Sequence, residues 1–478
     1  MLFSSTDFIF VFFPLAVLSY YVVGAYKSKY RNYSLVFFSL FFYAYWKVEY
    51  LPILIVTILV NFAFGRLISI DEEKKNSKIF LFIGISLNAF LLGTFKYFDF
   101  FTENFGYVSG VEFEPVDLIL PLAISFFTFQ QIAFLVDCYK GEAENYTLTE
   151  YFLFVSFFPQ LIAGPIVHHK QMMPQFSDPA SSSINFDNIT RGLIIFSIGL
   201  FKKIVIADHF GAYVDAGYSE INALNSIGAW SVSLSYTVQL YYDFSGYCDM
   251  AIGTALFFNI KLPINFNSPY KALNIQDFWR RWHITLSNWL RDYIYIPLGG
   301  SRNGSLSTYR NLFLTFLFGG FWHGAGWGFI FWGMAHGTGL IIHRLWSKFG
   351  FVLPKFVAWF ITILYIHLAW VLFRAETLHD AGQIYRKMFD IDFNFQSIKS
   401  FFDGYYSHRM IDEINSLFVL ISALILIFMS ALLRNSNDIS ASYRGASYLL
   451  AMTSAIAFSL GIFVLAGQSS QVFLYFNF

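Results

Sequence analysis

Long apolar stretches alternate with short polar ones along nearly the whole chain. A helix needs about 20 mostly apolar residues to cross the hydrocarbon core of a bilayer. The stretches that meet or approach this length are 8–25, 33–46, 51–68, 79–95, 117–136, 150–167, 190–206, 226–242, 247–260, 311–322, 326–346, 352–374, 414–433 and 446–466. The shortest, 33–46, 247–260 and 311–322, predict half-helices or re-entrant segments. The pattern predicts an all-α polytopic integral membrane protein with about 11–13 membrane and re-entrant helices.

Composition agrees with this prediction. Of 478 residues, 56% are hydrophobic and 13% are charged, whereas soluble domains carry about 25% charged residues. The 61 Phe and 30 Tyr suit the core and the interfacial belts of a membrane protein. Lys+Arg and Asp+Glu both number 31, so the chain has no basic excess that would indicate a nucleic-acid partner.

Positive charges in the connections predict the orientation of the chain. They cluster in two connections, at Lys27, Lys29 and Arg31, and at Arg66, Lys74, Lys75 and Lys78. The connection at 47–50 carries only Lys47 and Glu49. The positive-inside rule therefore places the N-terminus outside the cytoplasm. Arg434 and Arg444 precede the last apolar stretch and place the C-terminus outside as well.

The chain shows no linker or charge run that would divide it, so a single domain over 1–478 is predicted. Its longest late polar stretch is 374–413. Between Ala375 and Phe389 the apolar residues recur near helical spacing, which predicts an amphipathic helix on the membrane surface. That helix is either solvated surface or a docking platform for a partner.

The segment 265–343 stands out because Trp, Arg, Gly and His crowd together between apolar flanks. Ionisable residues among membrane helices are costly and mark functional sites by default. His323 lies in this segment, between Gly319-Gly320 and Gly324. An imidazole shielded from water stays neutral and can act as a general base. It can equally be a structural His bonded across a glycine-rich helix seam.

Upstream of His323, the segment 279–291 combines Trp and Arg around His283. Trp279, Trp282 and Trp289 are spaced close to one helical face. This spacing predicts an interfacial helix with Trp at headgroup level and Arg toward lipid phosphate. Alternatively, Arg280 and Arg281 hold the phosphates of a nucleotide-bearing acyl donor.

Buried acidic residues are predicted at Asp137, Asp243 and Asp249, each at or between apolar stretches. They either pair with basic residues such as Lys202 and Lys203, cap helices, or take part directly in the chemistry.

No metal site is predicted. His168 and His169 are adjacent and are expected to face different directions, without the i, i+4 geometry of a helical metal pair. The cysteines, Cys138 and Cys248, are expected to be buried thiols, with a single disulfide or a catalytic thiol as the alternatives. Gly-x-Ser-x-Gly, Walker A and His-Glu-x-x-His motifs are absent from the sequence, which counts against soluble-type hydrolase, ATPase and zinc protease chemistry.

The chain resembles the membrane-bound O-acyltransferase (MBOAT) family, in particular the bacterial branch that contains the alginate O-acetylation protein. The matching blocks run in fixed order over nearly the whole chain: 120–137, 158–165, 199–208, 242–247, 265–300 and 319–337. They include Phe-Pro-Gln-Leu-Ile-Ala-Gly-Pro, Tyr-Asp-Phe-Ser-Gly-Tyr and Trp-His-Gly. The resemblance implies a ring of tilted helices around a central pore, with a catalytic core over about 117–346.

The resemblance also implies roles for individual residues. His323, in the Trp-His-Gly block, is expected to be catalytic, and His283 is expected to be the second polar position. Trp279, Trp282, Arg280 and Arg281 are candidates for donor binding. His336, Asp243 and Asn265 are assigned supporting roles. His336 is given only a supporting role because it follows His323 by thirteen residues. At about 100° per residue, this spacing would turn it away from the face of His323.

By this resemblance the protein is expected to be an O-acyltransferase in the bacterial inner membrane, contacting lipid. It would use acetyl-CoA or another cytoplasmic thioester and no metal. A periplasmic partner protein would deliver the acetyl group to a polysaccharide such as alginate. Peptidoglycan O-acetylation and D-alanyl transfer to teichoic acid are the alternatives within the family. A transporter or flippase that uses His323 as a proton relay is the alternative of another class.

Overall fold

The structure is a computed structural model that describes residues 1–27, 30–71, 74–143, 146–162, 164–390, 408–443, 448–467 and 474. Lys29 and Arg444, used to predict the orientation, and Ala163 of the Phe-Pro-Gln-Leu block lie outside these residues. So does 391–407, the later part of the predicted polar segment.

The described residues form α-helices with 3₁₀- and π-helical turns between some of them, and they contain no β-strand. In chain order the helices are α1 Phe13–Tyr26, α2 Tyr30–Ala44, α3 Leu51–Ile70, α4 Ser77–Leu92, α5 Phe98–Ser109, α6 Ile124–Lys140, α7 Leu148–Ser156, α8 Phe158–Leu161, α9 His169–Ser177, α10 Phe186–Phe201, α11 Asp208–Ser219, α12 Ser226–Leu256, α13 Ile275–Arg281, α14 Ile284–Leu290, α15 Gly304–His323, α16 Trp327–Trp346, α17 Lys355–Arg374, α18 Leu378–Phe389, α19 His408–Leu432, α20 Ser436–Ala441 and α21 Tyr448–Gly467. Single π-helical turns precede α1, α5 and α11 and follow α14.

Six helical segments among the described residues are long and apolar enough to cross a membrane. They are Phe8–Tyr26, Val48–Ile70, Ser77–Ser109, Lys355–Arg374, Asn415–Leu432 and Tyr448–Gly467. The predicted all-α polytopic class is therefore confirmed. The larger count of about 11–13 includes shorter helices and stays a prediction, as do the central pore and the N-terminal orientation.

Several predicted stretches have different boundaries in the structure. The stretches 226–242 and 247–260 are one continuous helix, α12, of 31 residues. The stretch 311–322 is the second half of α15, which has 20 residues, so neither is a half-helix. The stretch 150–167 is interrupted in the structure, because the chain leaves the helix at Phe157 between α7 and α8.

The chain forms two compact units. The first unit comprises Met1–Phe201, Gly246–Asn265 and Ser436–Phe478, and the second comprises Lys202–Ser245 and Phe266–Asn435. The single domain predicted over 1–478 stays a prediction. In the first unit, α3, α4 and α6 pack together, and the buried Nδ2 of Asn88 donates to Oδ1 of Asn61 across 2.6 Å. Such bonds satisfy polar groups that water cannot reach in a bilayer.

In the second unit, the predicted amphipathic helix corresponds to α18. Thr377 and Asp380 form a capping box at its start. Its apolar residues Ala381, Ile384 and Met388 are buried in a cluster with Val371 and Ala229, among others. The apolar face of α18 therefore packs on protein and does not lie on the membrane as predicted.

In the second unit, the backbones of α15 and α16 approach each other closely. A Cβ atom added at Gly320 would lie 2.3 Å from the carbonyl oxygen of Phe329 and 2.9 Å from Cα of Gly333. A Cβ atom at Gly333 would lie 2.4 Å from the carbonyl oxygen of Phe316. Only glycine allows the two backbones to approach this closely.

We therefore expect Gly320→Ala to destabilise the protein, because the added methyl group meets backbone that cannot rotate away. Overpacking of this kind costs about 1–3 kcal/mol, so the thermal unfolding midpoint of the detergent-purified variant should fall. Gly382→Ala in α18 is the control, since a Cβ atom there meets nothing within 4 Å. Equal midpoints for the two variants would contradict this account.

Candidate active site

His323 is the last residue of α15, and the backbone adopts an extended conformation at the next residue, Gly324. Only 3% of the residue is exposed. Its ring lies among aromatic side chains, with centroid distances of 4.9 Å to Trp322, 5.0 Å to Trp332 and 5.1 Å to Phe373. The imidazole is therefore held at a helix end in a dry, aromatic environment.

The glycines around His323 are needed for this placement. A Cβ atom at Gly324 would fall 2.1 Å from the ring of Phe329. The short break after Gly324 lets α16 start at Trp327 and return alongside α15. The glycine-rich sequence that marked His323 as a candidate is thus a close-packed helical hairpin, and His323 ends its first arm.

His336 is buried on the second arm, α16. Nε1 of Trp279 donates a hydrogen bond of 3.2 Å to Nδ1 of His336. Nδ1 therefore carries no proton, and a neutral ring carries its proton on Nε2. That Nε2 is buried and has no hydrogen-bond partner among the described residues. Trp332 packs against the rings of both His336, at 4.6 Å, and His323, at 5.0 Å.

His336 does not lie on the same helix as His323, as the predicted angle between them requires. The helix α15 ends at His323, and α16 begins at Trp327, so the prediction that His336 turns away from the face of His323 is wrong in its premise. Across such a break, angles counted along a single helix axis have no meaning.

His283 lies at the junction of α13 and α14, with φ of 42° and ψ of 53°. A left-handed backbone is uncommon for a residue with a side chain, and such strain is found at functional sites. The residue is fully buried, and its ring packs edge-on against Phe244 at 4.8 Å and near Trp322 at 6.4 Å. Burial lowers the pKa of His283 to about 3, so the imidazole is neutral at physiological pH. Trp322 thus contacts both candidate histidines.

The helix break at His283 also corrects the interpretation of the three tryptophans. Trp279 and Trp289 are on separate helices, and Trp282 lies outside both, so no common helical face exists. All three are buried, with at most 6% exposed, and so they contact protein instead of presenting a face to lipid headgroups. The ring of Trp282 stacks on Phe278 at 5.5 Å and lies 5.1 Å from Trp370.

Of the four candidate donor-binding residues, two line a cavity of about 670 Å³ in the second unit. Trp279 and Arg280 lie in its wall, together with Arg291 and Arg344. Arg281 is instead fixed structurally, because its Nε lies 2.9 Å from Oδ1 of Asp277 and its Nη1 donates to the carbonyl of Asn267. Trp282 belongs to the buried aromatic cluster described above.

The supporting residues Asp243 and Asn265 have separate surroundings. Asp243 pairs with the buried Lys203, whose Nζ lies 2.6 Å from Asp243 Oδ1 and 2.7 Å from Asp208 Oδ1. The predicted pairing of Asp243 with a lysine is confirmed. Asn265 belongs to the first unit, where its amide donates to the sulfur of Cys248 across 3.5 Å.

The prediction that His168 and His169 face different directions is wrong. His168 has an extended backbone and His169 begins α9, and the change of backbone direction brings both rings to one carboxylate. Both Nε2 atoms approach Oδ2 of Asp137, at 2.9 Å and 3.0 Å. Sequence spacing could not reveal this cluster, because Asp137 is on a different helix. In the sequence, only the expected burial of Asp137 indicated that this residue needs a polar partner.

Comparison with known proteins identifies the chain's relatives. The family model described as "MBOAT, membrane-bound O-acyltransferase family" matches residues 8–375. A protein of Helicobacter pylori named peptidoglycan O-acetyltransferase is 46% identical, with the alignment covering 100% of this chain and 98% of that protein. A probable alginate O-acetylase of Pseudomonas aeruginosa is 39% identical over 81% of this chain and 75% of its own length. A teichoic acid D-alanyltransferase of Bacillus subtilis is 28% identical over 49% of this chain and 61% of its own.

The Lys203 cluster gives a stability prediction. Replacing Lys203 by Ala leaves Asp208 and Asp243 as like charges in a buried site, and removing one partner of a buried ion pair costs about 3–5 kcal/mol. Lys203→Ala should therefore lower the thermal unfolding midpoint strongly or abolish recovery of folded protein. Lys202→Ala, at the half-buried neighbouring lysine, should have a much smaller effect. A Lys203→Ala midpoint equal to that of Lys202→Ala would rule out the proposed importance of the pair.

Proposed function

Because the chain belongs to the membrane-bound O-acyltransferase family, we propose that it transfers acetyl groups for the O-acetylation of peptidoglycan. The protein is a multi-pass membrane O-acyltransferase. The choice of polymer rests on the peptidoglycan O-acetyltransferase of Helicobacter pylori, which aligns with this chain from end to end. We also propose that the protein lies in the bacterial inner membrane with its N-terminus outside the cytoplasm.

The observation that carries the chemistry is the buried imidazole of His323 at the glycine-lined end of α15. In the proposed reaction, His323 accepts the proton of an acceptor hydroxyl as its oxygen attacks the thioester carbonyl. The C–O bond forms and the C–S bond breaks. The leaving thiolate takes the proton back from the imidazolium. The acceptor hydroxyl belongs to a periplasmic partner protein or to the polymer itself.

His283 and His336 fit secondary roles in this scheme. A neutral His283 can donate a hydrogen bond to the thioester oxygen, where negative charge develops in the transition state. His336 is oriented by the Nε1–H of Trp279 and offers a second buried donor. Asp243, held by Lys203, positions α12, which carries Phe244 against His283. Asn265 stays a supporting candidate.

We propose acetyl-CoA as the donor, with the cavity beside α13 as its phosphate-binding mouth. Arg280, Arg291 and Arg344 line that cavity. The guanidinium group of Arg291 is paired with Asp292, so Arg280 and Arg344 are the proposed phosphate ligands. Arginine binds phosphate through paired, geometrically matched hydrogen bonds. Trp279 connects the cavity to the histidines, because its ring lines the wall and its Nε1 bonds His336.

Alginate or a similar exopolysaccharide is the second candidate acceptor. It is favoured by the 39% identity to the probable alginate O-acetylase of Pseudomonas aeruginosa, which covers 81% of this chain. D-alanyl transfer has weaker support, because the alignment with the Bacillus subtilis D-alanyltransferase covers 49% of this chain.

The function is tested by replacing His323 with Ala in cells that depend on this protein for acetylation. Base-labile acetate should disappear from purified peptidoglycan, because no other group in the scheme accepts the hydroxyl proton. Membrane levels of the protein, measured by immunoblot, should be unchanged. His379→Ala, at an exposed histidine of α18, is the control and should retain wild-type acetate.

The same cells decide between the candidate functions. If the His323→Ala cells lose acetate from exopolysaccharide but not from peptidoglycan, the acceptor is the exopolysaccharide, which is the second candidate. Full acetylation of both polymers by His323→Ala would reject the role of His323.

The donor site is tested with Arg280→Ala. We expect a 10-fold or greater rise in KM for acetyl-CoA with little change in kcat, because phosphate contacts remote from the reacting carbonyl bind ground and transition states equally. Arg281→Ala is the matched comparison, because Arg281 is held by Asp277. This variant should lower the thermal unfolding midpoint and leave the KM for acetyl-CoA near the wild-type value. An unchanged KM for Arg280→Ala would exclude the cavity as the donor site.

A further inference from the structure

A cluster of metal-binding residue types lies in the first unit, whereas the candidate active-site histidines lie in the second. Asp137 is in the last turn of α6, His168 precedes α9 and His169 is the first residue of α9. One ligand atom from each residue can be chosen such that all three lie within 4.8 Å of one another. Asp137 Oδ2 is 2.9 Å from Nε2 of His168 and 3.0 Å from Nε2 of His169.

These distances are close to those of a zinc site. Zinc binds His nitrogen and carboxylate oxygen at about 2.0–2.1 Å, so the ligand atoms of a tetrahedral site stand about 3.3 Å apart. Asp137 Oδ2 lies about 0.3–0.4 Å closer than this to the two imidazole nitrogens, so side-chain rotations that lengthen these two distances would make room for the ion. Two His and one carboxylate is a ligand set that zinc uses with a fourth, open position.

The surroundings of the cluster also suit a cation. The side chains of Asp137 and His169 are 2% and 1% exposed, whereas that of His168 is 33% exposed. An ion can therefore enter beside His168 and keep water as its fourth ligand. Nδ1 of His169 lies 3.4 Å from the hydroxyl of Tyr146, a contact that orients the ring as outer-shell partners of zinc-bound histidines do. The C-terminal end of α6 adds negative potential.

Two of the contacts that the structure describes oppose metal binding. The backbone N–H of Lys170 donates to Nδ1 of His168 over 3.3 Å, and this bond is lost when Nε2 binds a metal and Nδ1 takes the proton. Nζ of Lys140 lies 3.9 Å from Oδ1 of Asp137. The first contact is long, and Lys140 is 41% exposed, so its ammonium group can swing into solvent.

We infer that Asp137, His168 and His169 form a Zn²⁺ site that ties the end of α6 to the start of α9. Zinc displaces the Nε2 protons, and two imidazole nitrogens and one carboxylate oxygen then bind the ion. The three ligands belong to the first unit, whereas the histidines of the proposed acetyl transfer belong to the second.

Zinc binding to the purified full chain tests this inference. The protein is prepared in detergent without a polyhistidine tag, stripped with chelator and titrated with ZnCl₂ against a chromogenic zinc indicator. We expect about one tightly bound Zn²⁺ per chain. His169→Gln should weaken binding at least 10-fold, because amides are poor zinc ligands.

His168→Asn is the decisive variant, because asparagine is a preferred N-cap residue and preserves the start of α9 without the imidazole. His379→Gln, at a histidine outside the cluster, is the control. Loss of binding in His168→Asn but not in His379→Gln supports the site. No stoichiometric zinc in the wild type, or equal affinity in wild type and His168→Asn, overturns it.

Discussion

The contact between the backbones of α15 and α16 is the constraint on which the candidate active site depends. Gly320 and Gly333 let the two helices meet without intervening side chains, and the hairpin they form ends its first arm at His323. A wider separation would leave room for water around the imidazole. The close approach therefore determines both where the histidine lies and how dry its surroundings are.

The aromatic cluster extends this constraint to the other histidines. Trp332 packs on His323 and His336, and Trp322 packs on His323 and His283. Large rings bury much area and adopt few conformations, so they hold the imidazoles rigidly. Burial also keeps His283 neutral, and a neutral imidazole is the form that can polarise a carbonyl or accept a proton.

The sequence predicted features that depend on local composition, and it missed those that depend on where a helix breaks. Apolar length located the membrane helices, and the Trp-His-Gly block located His323. The left-handed backbone of His283 breaks a stretch whose Trp spacing suggested one helix, and so the burial of Trp282 was not predicted. The continuity of α12 through Asp243 was missed as well, because polar residues interrupt its hydrophobicity without interrupting its hydrogen bonds.

The negative charges of buried carboxylates are balanced by different groups in the two units. Asp243 and Asp208 share Lys203, whose side chain is 4% exposed, so a full positive charge opposes them within the protein. Asp137 contacts the imidazoles of His168 and His169, which are fully positive only when protonated. Nζ of Lys140 lies 3.9 Å from Oδ1 of Asp137, and the side chain of Lys140 is 41% exposed. An ionised carboxylate in a dry site needs a counter-charge. A divalent ion bound by Asp137 and the two imidazoles would place such a counter-charge directly against the carboxylate.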